Sequence, residues 1–211
     1  MKKLLVFLCA MSLVIGLMGD ANALIITNGG FETGNLTGWS TWIDPIDQGS
    51  VNVVTSQTAS DGTLYQPPEG DYFASIMATA EVIQSNLQWN AGEVIEFSWA
   101  FLAEDYLPYN DYSIFTIEES EGNLIHQVTL GDVATYGDHG DSGWQTYSWT
   151  FDADGQGLIY FGSYNLLDSL FDSYLLVDDV TAHTPEPATM LLLGSGLIGL
   201  AALGRKKFRR R

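Results

Sequence analysis

Between residues 104 and 112 the chain reads Glu104-Asp105-Tyr106-Leu107-Pro108-Tyr109-Asn110-Asp111-Tyr112, three acids, one amide and three tyrosines in nine positions. Tyr106, Tyr109 and Tyr112 can stack on sugar rings while Asp105, Asn110 and Asp111 bond hydroxyls. The same side chains can instead cap loops or give oxygen ligands to a cation. Asp178 and Asp179 form a second such place, since they are adjacent acids inside the apolar run from Leu175 to Val180. Neighbours in a strand face opposite ways, so one carboxylate must turn inward, where a metal, hydrogen bonds or a proton has to compensate it.

What could compensate it is limited by the charge distribution. All eight Lys and Arg lie at the two ends, at 2–3 and 205–211, and only Asp20 and Glu186 of the 26 acids accompany them. Residues 24–184 therefore hold 24 carboxylates and no Lys or Arg, a formal charge of −24. Side-chain bridges to Lys or Arg are impossible there, and the self-repulsion must be screened, tolerated or offset by bound cations. Calcium is the natural counter-charge, because clustered carboxylates are the ligands it takes; the alternative is that the charge serves solubility alone. Nucleic acid is excluded as a partner, since nothing in this stretch neutralises phosphates. The single cysteine, Cys9, lies near the N-terminus, so disulfides and thiol chemistry are excluded from 24–184.

Catalytic patterns are lacking. There is no G-x-S-x-G, no H-E-x-x-H, no cysteine nucleophile and no phosphate-cradling loop. Carboxylates are too numerous for any pair to single out a glycosidase, which needs two at a set separation. His139, in Gly137-Asp138-His139-Gly140-Asp141, is one imidazole in a loop, and His126 reads as structural. Trp39, Trp42, Trp89 and Trp144 lie near turns and are read as core, with an exposed sugar platform as the alternative.

The elements that must position these residues are strands. Runs rich in β-branched and aromatic residues alternate with Gly, Asp, Asn and Pro, giving expected strands at 51–56, 72–78, 82–87, 94–102, 112–118, 124–130, 146–151, 158–163 and 174–181. Ile95, Phe97, Trp99 and Phe101 alternate with Glu96 and Ser98, and Tyr147, Trp149 and Phe151 with Ser148 and Thr150. Such strands have one face in a core. About nine strands without a helical period predict an all-β, two-sheet antiparallel sandwich as one domain, 24–184.

Asn28-Gly29-Gly30-Phe31-Glu32-Thr33-Gly34 opens that domain, Gly143-Trp144 leads into a late strand, and Leu175-Leu176-Val177-Asp178-Asp179-Val180 closes it. This frame resembles carbohydrate-binding modules of the galactose-binding-like jelly roll. The resemblance implies a structural Ca²⁺ held by Glu32 and Asp178, with carbonyls near Asn28. Hydrogen bonding of Asp178 by loop amides is the alternative.

The ends carry addresses. Lys2 and Lys3, an apolar run over 4–17 and Ala21-Asn22-Ala23 read as a signal peptide, 1–23, cut before Leu24. At the other end Pro185, Glu186 and Pro187 precede an apolar stretch, 188–203, and a basic close, 205–211. As a helix that stretch covers roughly 24 Å, a marginal span of the ~30 Å hydrocarbon core, with the basic end cytoplasmic. Triplet, apolar helix and basic end, over 185–211, resemble the PEP-CTERM sorting tail. That resemblance implies processing by an exosortase, a membrane enzyme of Gram-negative bacteria that make extracellular polysaccharide. The expectation is an exported, non-catalytic surface or matrix protein, tethered by the tail before processing and structural or glycan-binding in the polysaccharide layer. Its rivals are a polysaccharide-active hydrolase and a calcium-dependent adhesion module.

Overall fold

Two five-stranded antiparallel sheets pack face to face in a computed structural model that describes residues 23–184. The signal peptide, the Pro185-Glu186-Pro187 triplet and the expected membrane helix lie outside the described residues. The strands are β1 (Ser40–Ile43), β2 (Ser50–Val54), β3 (Gln57–Thr58), β4 (Leu64–Tyr65), β5 (Phe73–Met77) and β6 (Ala80–Trp89). They continue with β7 (Val94–Leu102), β8 (Tyr112–Glu119), β9 (Leu124–Asp132), β10 (Gln145–Thr150), β11 (Gly155–Tyr164) and β12 (Tyr174–His183). One helical turn, α1 (Val133–Tyr136), follows β9. The first sheet runs β1-β6-β11-β8-β9 and the second β10-β7-β12-β5-β2, and β3 pairs with β4 alone. The fold is the expected all-β sandwich, and each of the nine expected strands falls on an observed one. Among the described residues no helix is long and apolar enough to cross a membrane.

The period of two decides what fills the core. Ile95 and Phe97 of β7, Phe115 and Ile117 of β8, Ile159 and Phe161 of β11 and Leu175 and Val177 of β12 meet between the sheets, all buried. Phe97 of the second sheet packs at 4.7 Å on Phe115 and 4.8 Å, edge-on, against Phe161 of the first. Offset and edge contacts of this kind are the geometries aromatic rings prefer. His126 of β9 stacks at 3.7 Å on Trp149 of β10 and makes a 2.8 Å hydrogen bond with the Tyr147 hydroxyl. It thus ties the two sheets along one edge, in the structural role expected of it, and burial pulls its pKa down toward the neutral ring.

The two outer faces differ. On the second sheet, Phe73, Ala100, Leu102 and Leu176 turn away from the main core and are covered by the β3–β4 hairpin through Ala59 and Tyr65, forming a second small core. Among the described residues no comparable hairpin covers the outer face of the first sheet, which carries polar and aromatic side chains from β6, β11 and β8.

Candidate functional site

The outer face of the first sheet is assembled by register. In β11, Ile159 and Phe161 point into the core, so Leu158, Tyr160, Gly162 and Tyr164 point out. Tyr160 pairs with Ile83 and Thr116, Gly162 with Glu81 and Ile114, and Tyr164 with Tyr112. Directly opposed residues share a face, so Glu81 and Ile83 of β6 and Tyr112, Thr116 and Glu118 of β8 stand on it too. β1 adds Trp42, paired with Glu81 and 42% exposed. Trp42 departs from the core reading, whereas Trp39 and Trp89 are buried as expected.

Two tyrosine–glutamate bonds order this face. The Tyr164 hydroxyl donates to Glu81 Oε1 at 2.5 Å, and the Tyr160 hydroxyl to Glu118 Oε1 at 3.3 Å. The Tyr112 and Tyr164 rings stack at 5.3 Å, and Gln127 Nε2 donates to Thr116 Oγ1 at 3.2 Å. Partial burial, then the charge of Glu118, hold the Glu81 carboxyl above the usual range, opposed by the Tyr164 hydrogen bond. Burial first, and then the hydrogen bond to Glu81, push the Tyr164 hydroxyl well up. Gly162 leaves room for the network, since a Cβ there would come within 2.5 Å of the Tyr164 oxygen. Flat rings beside fixed acceptors at half-buried depth are what a sugar ring and its hydroxyls require. The signal in the sequence was the Tyr160-x-Gly162-x-Tyr164 alternation on the polar phase of an otherwise apolar strand.

The residues expected to hold metal are brought near one another. Asp178 is fully buried; its Oδ1 accepts from Asp179 N at 2.7 Å and its Oδ2 from Glu69 N at 3.5 Å. Burial pushes its pKa up to about 7, with Asp179 and Glu32 adding repulsion. Glu32 accepts from Asp71 N and Tyr72 N, each at 3.1 Å. Gly30, Glu32, Glu69, Gly70 and Asp179 line a cleft of about 320 Å³ beside these groups. A Cβ on Gly30 would sit 3.7 Å from Asp178 Oδ1 and 3.6 Å from Glu32 Cγ, so Gly30 lies between the two acids. Among the described residues no three His, Cys, Asp or Glu side chains group as a metal cage. An ion at Glu32 and Asp178 would thus draw its remaining oxygens from carbonyls and water, which calcium's flexible 6–8-fold coordination allows.

The 104–112 segment crosses one end of the sandwich. Asn110 Oδ1 accepts from Ala134 N at 2.7 Å, at the start of α1. Asp111 is fully buried, with Oδ1 accepting from Leu166 N at 3.1 Å and Oδ2 from Ser173 N at 3.3 Å and Ser173 Oγ at 2.9 Å. Burial still pushes Asp111 up to about 6. Both residues thus have the donors that loop capping needs. Asp105 is buried too; its Oδ1 accepts from Tyr106 N at 2.7 Å, whereas its Oδ2 has no hydrogen-bond partner. Tyr106 packs edge-on to Tyr109 at 5.5 Å and lies 6.1 Å from His139, outside the sheet face.

No curated protein matches the chain. Among solved structures it is similar to TmCBM61, determined in complex with β-1,4-galactotriose, at 18% identity over 76% of this chain and 97% of that one, TM-score 0.48. It is similar to the K3 cleaved adhesin domain of Lys-gingipain from Porphyromonas gingivalis, at 13% identity over 77% and 100%, TM-score 0.48. A family 16 carbohydrate-binding module shows 18% identity over 75% and 98%, TM-score 0.42. Residues 183–211 match a family model described as the PEP-CTERM protein-sorting motif, and the chain therefore carries that motif from the last residue of β12 onward.

Proposed function

We propose that this is an exported surface protein, sorted through its tail by an exosortase-type enzyme, whose sandwich binds neutral glycan on the open face of the first sheet. The observation that carries this reading is the ordered set of Tyr112, Tyr160 and Tyr164 rings with Glu81 and Glu118 beneath them. The rings offer stacking surface, and the carboxylates accept hydroxyl hydrogens without rearranging. A neutral polymer fits because 24–184 has no Lys or Arg to meet uronate or sulfate, and its net charge repels both. The extracellular polysaccharide layer of a Gram-negative bacterium supplies such a ligand, and the bound domain would act there as a structural component.

Calcium at Glu32 and Asp178 fits as a structural ion, since Asp178 is a buried carboxylate with no Lys or Arg in its domain to pair with. The ion would fix the opening loop against β12 and take no part in glycan contact.

A hydrolase is the second reading, favoured by one observation: Glu81 shares the face with Glu118, whose charge raises the Glu81 carboxyl. Calorimetric titration of the exported protein with neutral and with uronate-rich polysaccharides tests the proposal, run beside an assay for reducing sugar. Heat of binding with the neutral polymer and no released sugar is expected. Release of sugar would favour the hydrolase, and binding of the anionic polymer alone would overturn the assignment.

A further inference from the structure

Glu93, at the turn between β6 and β7, is buried with both carboxylate oxygens on one atom. Oε1 lies 3.1 Å and Oε2 3.2 Å from the backbone nitrogen of Leu24, and Oε2 also accepts from Asn90 N at 2.8 Å. Glu93 is 2% exposed, and Leu24, 69 positions away, is 5% exposed and part of the main core. An amide at Leu24 has one hydrogen to share between two oxygens, and neither backbone amide brings a positive charge to the buried carboxylate. A free α-amino group at the same atom offers three hydrogens and a positive charge. No Lys or Arg within 24–184 can take that place.

The sequence independently marks this nitrogen. Ala21-Asn22-Ala23, the small-residue pattern read by a signal peptidase, ends at the Ala23–Leu24 bond. We propose that removal of residues 1–23 leaves an α-ammonium on Leu24 that forms a buried ion pair with Glu93, so that leader cleavage finishes the folded domain. In the cleavage, water adds across the Ala23–Leu24 peptide bond. The carbonyl carbon of Ala23 departs as a carboxylate, and the Leu24 nitrogen keeps the electron pair and is protonated. Both carboxylate oxygens already lie within 3.2 Å of the Leu24 nitrogen, so the new charge meets its acceptor without rearrangement. His183, opposite Val94, places the start of the sorting motif at this same end of the sandwich. The proposal rests on the export reading and adds to it a structural consequence of the cut.

The test uses the full chain expressed with its own leader in an exporting bacterium, isolated and probed with an amine-reactive ester at neutral pH. Mass spectrometry of the N-terminal peptide reads both the first residue and the labelling rate. The expected first residue is Leu24, labelled about tenfold more slowly in the native protein than in urea, the equivalent of one pKa unit of protection. Glu93→Gln should restore most of that rate, because an unpaired buried amine loses its proton. A different first residue overturns the proposal together with the assigned cut. Leu24 labelled at the unfolded rate, or protection unchanged in Glu93→Gln, overturns the ion pair and leaves export standing. The parent's native-to-urea ratio is decisive by itself should the variant fail to fold.

Discussion

Stability of this protein should fall as pH rises through the mildly acidic range, and Asp111 allows the size of the effect to be worked out. Its carboxylate is fully buried, and burial lifts its pKa from the usual 3.8 to about 6 despite three hydrogen-bond donors. The folded chain therefore holds a proton there that the unfolded chain releases between about pH 4 and 6. Folded protein binding more protons means stability declines with pH across that window. At 1.36 kcal/mol per unit, the shift corresponds to roughly 3 kcal/mol lost between pH 4 and 6. Asp178, lifted to about 7, acts in the same direction and carries the decline higher. Urea unfolding of the exported protein, followed by tryptophan fluorescence at constant ionic strength and in chelator, measures this directly. Asp111→Asn should lower stability at pH 4, where it disturbs the bonds to Leu166 and Ser173, yet flatten the slope by roughly half. An unchanged slope in Asp111→Asn, or stability that rises from pH 4 to 6, would refute the reasoning.

Other perturbations follow from the same contacts. Calcium at a hundred times its dissociation constant should raise unfolding stability by about 2.7 kcal/mol; the gain should vanish in Asp178→Asn, and a gain retained there would move the ion elsewhere. Gly157→Ala puts a Cβ 1.9 Å from the Glu118 carbonyl oxygen and should cost about 3 kcal/mol or more in a denaturant melt. A cost under 0.5 kcal/mol would mean that β8 and β11 can separate locally. Trp149→Ala removes the ring stacked on His126 and should cost about 2 kcal/mol by the same measurement while leaving glycan affinity unchanged.

Local patterns were legible in the sequence, and register-dependent ones were not. Ile95, Phe97, Trp99 and Phe101 announce their strand by alternation alone, and the sorting tail is a contiguous motif. β1 is missed because Ser40, Thr41, Trp42 and Ile43 are all exposed on an edge strand and show no alternation of burial. β3 and β4 have two residues each, too short for any period. The doublet of acids required one buried carboxylate without saying which; Asp178 is the fully buried one, and it follows Leu176 rather than Val177 in the alternation of β12, away from the main core. The tyrosine–glutamate face escaped because Glu81, Glu118 and Tyr164 belong to three strands, and only their pairing registers bring them to one surface. Glu93 likewise gave no sign, since its partner is a backbone nitrogen 69 positions away.

The most direct measurement of the central claim is calorimetric titration of a neutral polysaccharide into the exported protein and its Gly162→Ala variant. The three atoms nearest the added Cβ, at 2.5–2.7 Å, all belong to the movable Tyr164 side chain, so the fold should survive while the ring is displaced from Glu81. The account predicts binding by the parent and a loss of about tenfold in the variant, near 1.4 kcal/mol. Equal affinity in both proteins would contradict it and place glycan recognition away from this sheet.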